Sequence, residues 1–145
     1  MKNSDTIPPR ATLEVRKEQG VWADLRITNN GEKPILIHNP GDYLPYEQWE
    51  FSREAYTVAV LQSFHFLKMR LFTVHGALVD SNPIATLADH TVQLPLELKP
   101  KTGVRILSIP LHEFYNLTSA SSYSLEVTYG DDALRVHAKC GFQYP

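Results

Sequence analysis

Residues 123–138 read Y-S-L-E-V-T-Y-G-D-D-A-L-R-V-H-A. Tyr123, Leu125, Val127 and Tyr129 alternate with Ser124, Glu126 and Thr128; Gly130-Asp131-Asp132 then breaks the run, and Leu134, Val136 and Ala138 resume it. Successive side chains of an extended chain project to opposite faces, so a period of two marks a strand with one dry and one wet face. Two such runs joined by a Gly-Asp turn predict an antiparallel hairpin.

The same pattern recurs outward from this stretch. Val92, Leu94, Leu96 and Leu98 alternate with Thr91, Gln93, Pro95 and Glu97. Pro95 lacks the amide that a central ladder requires, which predicts an edge strand or bulge. In residues 64–79, Phe64, Leu67, Leu71, Val74 and Leu78 fit helical spacing, but the β-favouring aromatics and the His75-Gly76 turn favour a hairpin. Val21, Ala23, Leu25 and Ile27 share one face opposite Trp22, Asp24, Arg26 and Thr28, and Asn29-Asn30-Gly31 ends that strand. Pro34–His38 predicts a short strand, and Leu13 with Val15 a first one. Short strands with turn signals every 8–15 residues or so, without repeats or a linker, predict an all-β, two-layer sandwich. The expected organisation is a flexible segment over residues 1–10 and one domain over residues 11–145.

Composition agrees. The chain has 145 residues, 43% hydrophobic and 21% charged, with a formal charge of −2. That is enough chain for one core without disulfide or metal staples. The charge offers no general reason to bind nucleic acid or acidic lipid, so neither is an expected partner. No apolar run reaches the roughly 20 residues of a membrane helix, and Phe64–Val74 is interrupted by Lys68 and Arg70. Met1–Arg10 is polar and carries no secretory pattern; the expected location is cytoplasmic, or periplasmic or secreted where a leader has been removed. Cys140 is the single cysteine and reads as a half-buried structural thiol.

The stretch L-K-P-K-T-G-V-R-I-L-S-I-P-L from Leu98, followed by F-Y-N-L-T-S-A-S-S-Y-S-L-E-V-T-Y to Tyr129, resembles bacterial immunoglobulin-like modules. Ile27–Ile35 and Phe72–Val79 are similar to hairpins of the noncatalytic N-terminal domain of deuterolysin-type (aspzincin) metallopeptidases. The resemblance implies an immunoglobulin-like antiparallel β-sandwich of about 7–9 strands. It also implies that Tyr115-Asn116-Leu117-Thr118 forms a crossing turn and that the Tyr123 hydroxyl closes a corner onto upstream backbone. The zinc helix of those peptidases needs H-E-x-x-H; here Asn116 follows His112-Glu113-Phe114-Tyr115, so the resemblance implies the module without its enzyme.

Other chemistry is sparse. The six histidines, His38, His65, His75, His90, His112 and His137, contain no H-x-H, H-x-x-H or H-x-x-x-H pair. On one uninterrupted strand, His65 and His75 would stand about 33 Å apart. There is no G-x-S-x-G, G-x-G-x-x-G or phosphate-cradling loop, and Asp42, Asp131 and Asp132 belong to no dense acidic loop. No catalytic residue, metal or cofactor is expected. Asn116-Leu117-Thr118 matches a glycosylation acceptor within the predicted corner and is assigned no role.

Residues 39–54, N-P-G-D-Y-L-P-Y-E-Q-W-E-F-S-R-E, exceed what sandwich building requires. Tyr43, Tyr46 and Trp49 supply rigid amphipathic surfaces of the type that dominates binding hot spots, and Glu47 and Glu50, with Asp42, supply a polar rim. The competing role for Trp49 and Phe51 is to cover an open end of the core. The expected function is a noncatalytic module that binds a protein, an enzyme that it inhibits or accompanies. The alternatives are a carbohydrate-binding module, or an enzyme assembled from His65, His75 or His90 with an aspartate. Self-association through the predicted edge strand Val92–Leu98 is a further expectation, opposed by Pro95 and Glu97.

Overall fold

The computed structural model describes residues 7–41, 51–82, 94–119 and 121–144. The strand with the plainest alternation sits at the centre of the first layer. β1 (Arg10–Lys17) pairs antiparallel with β2 (Val21–Thr28), from Arg10 opposite Thr28 to Lys17 opposite Val21. Val21, Ala23, Leu25 and Ile27 are buried, none more than 2% exposed, as their spacing requires. β2 pairs on its other side with β7 (Gly103–Pro110). Leu25 faces Leu107 and Arg26 faces Arg105, so Ile106 is an extra residue, a bulge that bends β7 and turns both Ile106 and Leu107 inward.

The second layer is a four-stranded sheet in the order β5 (Leu78–Val79), β4 (Leu67–Thr73), β8 (Ser122–Gly130), β9 (Arg135–Gln143). β8 and β9 are the hairpin predicted from residues 123–138, and β4 with β5 is the hairpin predicted around His75-Gly76. A two-stranded sheet of β3 (Ile35–Ile37) and β6 (Leu96–Leu98) completes an all-β, antiparallel sandwich with nine strands among the described residues. The strand expected over Val92–Leu98 is shorter within the described range. Leu94 and Pro95 lie outside it and Leu94 is exposed, because Pro95 has no amide to donate.

The two margins of the sandwich close differently. β1 lies against β9 at one margin. At the other, residues 53–63, to which the strand pattern assigns no element, form helix α1 (Arg53–Ser63), packed on β7 and β4. Ser52 caps it, its Oγ accepting the Ala55 N–H at 3.1 Å, and Glu54 lies in the first turn near the positive end of the helix dipole. Ala55 through Leu61 are all buried, seven residues in a row. A helix apolar on every side belongs inside a core, and α1 fills the margin where a further strand would otherwise stand. Arg53 and Glu54, the last residues of the predicted 39–54 loop, therefore belong to a helix.

Three local features hold the connections. Buried Asn29 donates from Nδ2 to the carbonyls of Lys33 at 2.8 Å and Leu98 at 3.0 Å, and its Oδ1 accepts from the Gly31 amide at 2.9 Å. Its own backbone pairs with Thr102 and Lys101, so the Asn29-Asn30-Gly31 turn is tied to the one before β7. The Thr118 amide donates to the Tyr123 hydroxyl at 2.9 Å, the corner bond expected there. The His112-Glu113 pair falls in a four-residue helix, α2 (Leu111–Phe114), and not in a plain turn.

Candidate functional site

The predicted binding residues Tyr43, Tyr46, Glu47, Trp49 and Glu50, with Asp42, lie outside the described residues. The points at which their segment leaves and rejoins the framework are described, and both are held firmly. On the way out, the His38 carbonyl accepts the buried Tyr129 hydroxyl at 2.6 Å, and the His38 ring stacks on Phe66 at 3.8 Å between centroids. Asn39 then accepts the Gly41 amide at 3.0 Å, and Gly41 has φ +77°, a conformation that glycine adopts without steric cost. On the return, Phe51 packs half-buried against the core, which agrees with a covering role for that ring. The Ser52 amide donates to Glu113 Oε1 at 2.8 Å, and its hydroxyl donates to Glu113 Oε2.

Beside these anchors lies an open cavity of about 270 Å³, bordered by Pro40 and Gly41, by Arg53, Glu54 and Thr57 of α1, and by Arg105 and Ser108 of β7. Ser108 donates to Asp24 Oδ1 at 2.7 Å, and Arg16 holds the same carboxylate from Nε at 3.0 Å and Nη2 at 3.3 Å. Burial pushes the Asp24 carboxyl upward, but the hydrogen bonds from Arg16 and Ser108 and the charges of Arg16 and Arg105 outweigh it and hold the pKa below the ordinary 3.8. The cavity thus offers two guanidinium groups, a carboxylate and two hydroxyls, donors and acceptors suited to recognising polar groups.

Sequence reading missed this cavity because its walls come from an unassigned helix and a bulged strand. The available signal was Ile106-Leu107, two adjacent apolar residues that interrupt the alternation of β7.

The remaining candidates are dispersed. His112 Nδ1 accepts the Val21 amide at 3.1 Å and its ring meets Trp22 edge-on at 5.2 Å, while Glu113 anchors Ser52. Both residues of the His-Glu pair thus brace the scaffold. His65 and His75 flank β4 at its two ends, so the β4–β5 hairpin does not bring them together; His90 lies outside the described residues. Among the described residues no group of three or more His, Cys, Asp or Glu side chains is placed to hold a metal ion. Burial pushes the half-buried Cys140 thiol up and the Tyr115 hydroxyl up to about 12, which keeps both protonated at neutral pH.

No helix among the described residues is long and apolar enough to cross a membrane. Set against known proteins, the chain matches no family model and no curated protein sequence.

Proposed function

We propose that the chain is a noncatalytic protein-binding module that presents residues 39–54 to a partner, an enzyme that it inhibits or accompanies. The observation that supports this reading most directly is the anchoring of both ends of the segment. Tyr129 holds His38 and Glu113 holds Ser52, beside the Arg53–Arg105 cavity. Binding residues are favoured on connections that a rigid scaffold positions, and Tyr43, Tyr46 and Trp49 are residue types that contribute most of the energy at protein interfaces. Glu47 and Glu50 would rim the contact and favour a basic partner surface.

The test compares the wild-type chain with Tyr46→Ala/Trp49→Ala in affinity capture from the native extract, followed by titration of the protein retained. The expected result is loss of that protein with a melting temperature changed by no more than about 2 °C. A large fall in melting temperature would instead assign the rings to the core. Retention of a glycan with no protein partner would assign the chain to carbohydrate recognition.

A further inference from the structure

The outer face of the β4–β8–β9 sheet carries chemistry that the 39–54 segment does not use. With Leu67, Leu71, Leu125, Val127, Tyr129 and Val136 buried on the inner side, the pleat turns Lys68, Arg70, Glu126, Thr128, Arg135, His137 and Lys139 outward. The registers set these residues in rows. Lys68 stands opposite Thr128, which stands opposite His137; Arg70 stands opposite Glu126, which stands opposite Lys139. In the next row toward the hairpin tip Phe72 stands between Leu78, which is 58% exposed, and Ser124. Two open cavities of about 440 and 430 Å³ meet at Thr128, one containing Arg70, Glu126 and Lys139 and the other Lys68 and Arg135.

Four permanent cations, Lys68, Arg70, Arg135 and Lys139, thus share a face with one carboxylate of these strands, Glu126, among the described residues, on a chain whose formal charge is −2. Arg70 pairs with Glu126 at 2.7 Å and Arg135 with Asp132 of the adjacent turn at 2.9 Å. Lys68 and Lys139 make no ion pair among the described residues.

We propose that this face binds an acidic polypeptide segment in extended conformation, lying along the strands. Same-face residues of a strand repeat about every 6.8 Å, and an extended peptide presents its alternate side chains at the same interval. Carboxylates at every second position therefore meet the Lys68 and Lys139 rows in turn, and an apolar residue one step further meets the exposed Leu78.

The arrangement is less suited to other polyanions. A single-stranded nucleic acid gains from rings on which its bases stack, and the Phe72 ring is covered by the Arg70 guanidinium at 5.7 Å, which removes a stacking platform. A bilayer separates charge from hydrocarbon along its normal, whereas here the cations and Leu78 lie side by side in one plane. The surface is distinct from the cavity at Arg53 and stands whether or not the 39–54 segment binds.

Fluorescence anisotropy tests it with a labelled peptide that alternates glutamate with threonine and ends in leucine. The same peptide with lysine for glutamate, phosphatidylserine-containing vesicles and a single-stranded oligonucleotide serve as rival ligands. The acidic peptide is expected to bind alone. Lys68→Glu/Lys139→Glu should weaken it by about tenfold or more, Lys68→Gln/Lys139→Gln by less, and Leu78→Ala by about threefold. Arg26→Glu/Lys101→Glu, an equal charge change on β2 and on the turn before β7, should leave affinity within about twofold, because exposed charges on the other layer are screened by salt. Equal loss in both Glu doubles, preference for vesicles or oligonucleotide, or no binding by the wild-type chain would overturn the proposal. Circular dichroism of each variant confirms that the fold is retained.

Discussion

The two sheets are alike inside and opposite outside. Leu25 at the centre of one and Leu125 at the centre of the other are each fully buried, and alternation alone puts them there. On the outer face of β1-β2-β7 one cluster of charges is held together, while Arg10 and Arg26 make no ion pair among the described residues. Arg16 bridges Asp24 and Glu18 while lying over the Trp22 ring at 5.3 Å, and Ser108 completes the Asp24 shell. On the outer face of β4-β8-β9 the cations outnumber the carboxylate between them, and Lys68 and Lys139 make no ion pair among the described residues. The Arg16–Asp24 cluster of one outer surface is thus committed to the protein's own structure, whereas the rows around Glu126 on the other carry more cations than that carboxylate pairs. A hydrophobic period of two specifies the inward half of each strand; which outward half is used must be read from charge pairing.

The largest effect should test the likeness of the interiors. Leu25→Ala and Leu125→Ala are each expected to lower stability by about 2–5 kcal/mol in urea titration, as truncation of a fully buried leucine removes contacts and leaves a cavity. A loss of less than about 1 kcal/mol at either site would show that its leucine is not part of the shared core.

Next comes the self-paired cluster, where Asp24→Ala should cost about 1–2 kcal/mol, because Arg16 and Ser108 lose a charged acceptor. The same carboxylate makes this face sensitive to acid. Its folded pKa lies below the ordinary 3.8, so its contribution is present above that pH and fades as pH falls through 3.8 toward the folded value. Subtracting the acid-stability curve of Asp24→Asn from that of wild type should reveal the loss in that window and a constant offset above it.

The smallest effect on folding belongs to the cationic face. Glu126→Ala breaks an ion pair whose side chains are 55% and 39% exposed, and is expected to change stability by less than about 1 kcal/mol. It should nevertheless tighten binding of the acidic peptide by removing the one carboxylate in its path. A stability loss as large as that of Asp24→Ala would erase the contrast between the faces.

What the amino-acid pattern revealed follows from the same physics. β2 and the β8–β9 hairpin were legible because each keeps a period of two between clear turn residues, whereas the Tyr123 corner was expected only from the resemblance to immunoglobulin-like modules. Helix α1 was not legible. Its run A-Y-T-V-A-V-L is buried on every side, so it has no polar phase to mark a helical period, and Thr57, Val58 and Val60 are β-branched. The cavity at Arg53 and Arg105 was hidden for a related reason, since it exists only where that helix meets the bulge at Ile106. The pairing imbalance of the outer faces was equally out of reach, because it depends on which strands the topology makes neighbours.

The contact of β1 with β9 joins the first and the last strand among the described residues. Loop-closure entropy must be overcome before that distant pairing yields any reward, and sheets built this way characteristically form in milliseconds to seconds, not microseconds. A nascent polypeptide halted before Arg135 would leave β1 without that neighbour, so this margin of the sandwich closes only once Arg135–Gln143 has been made.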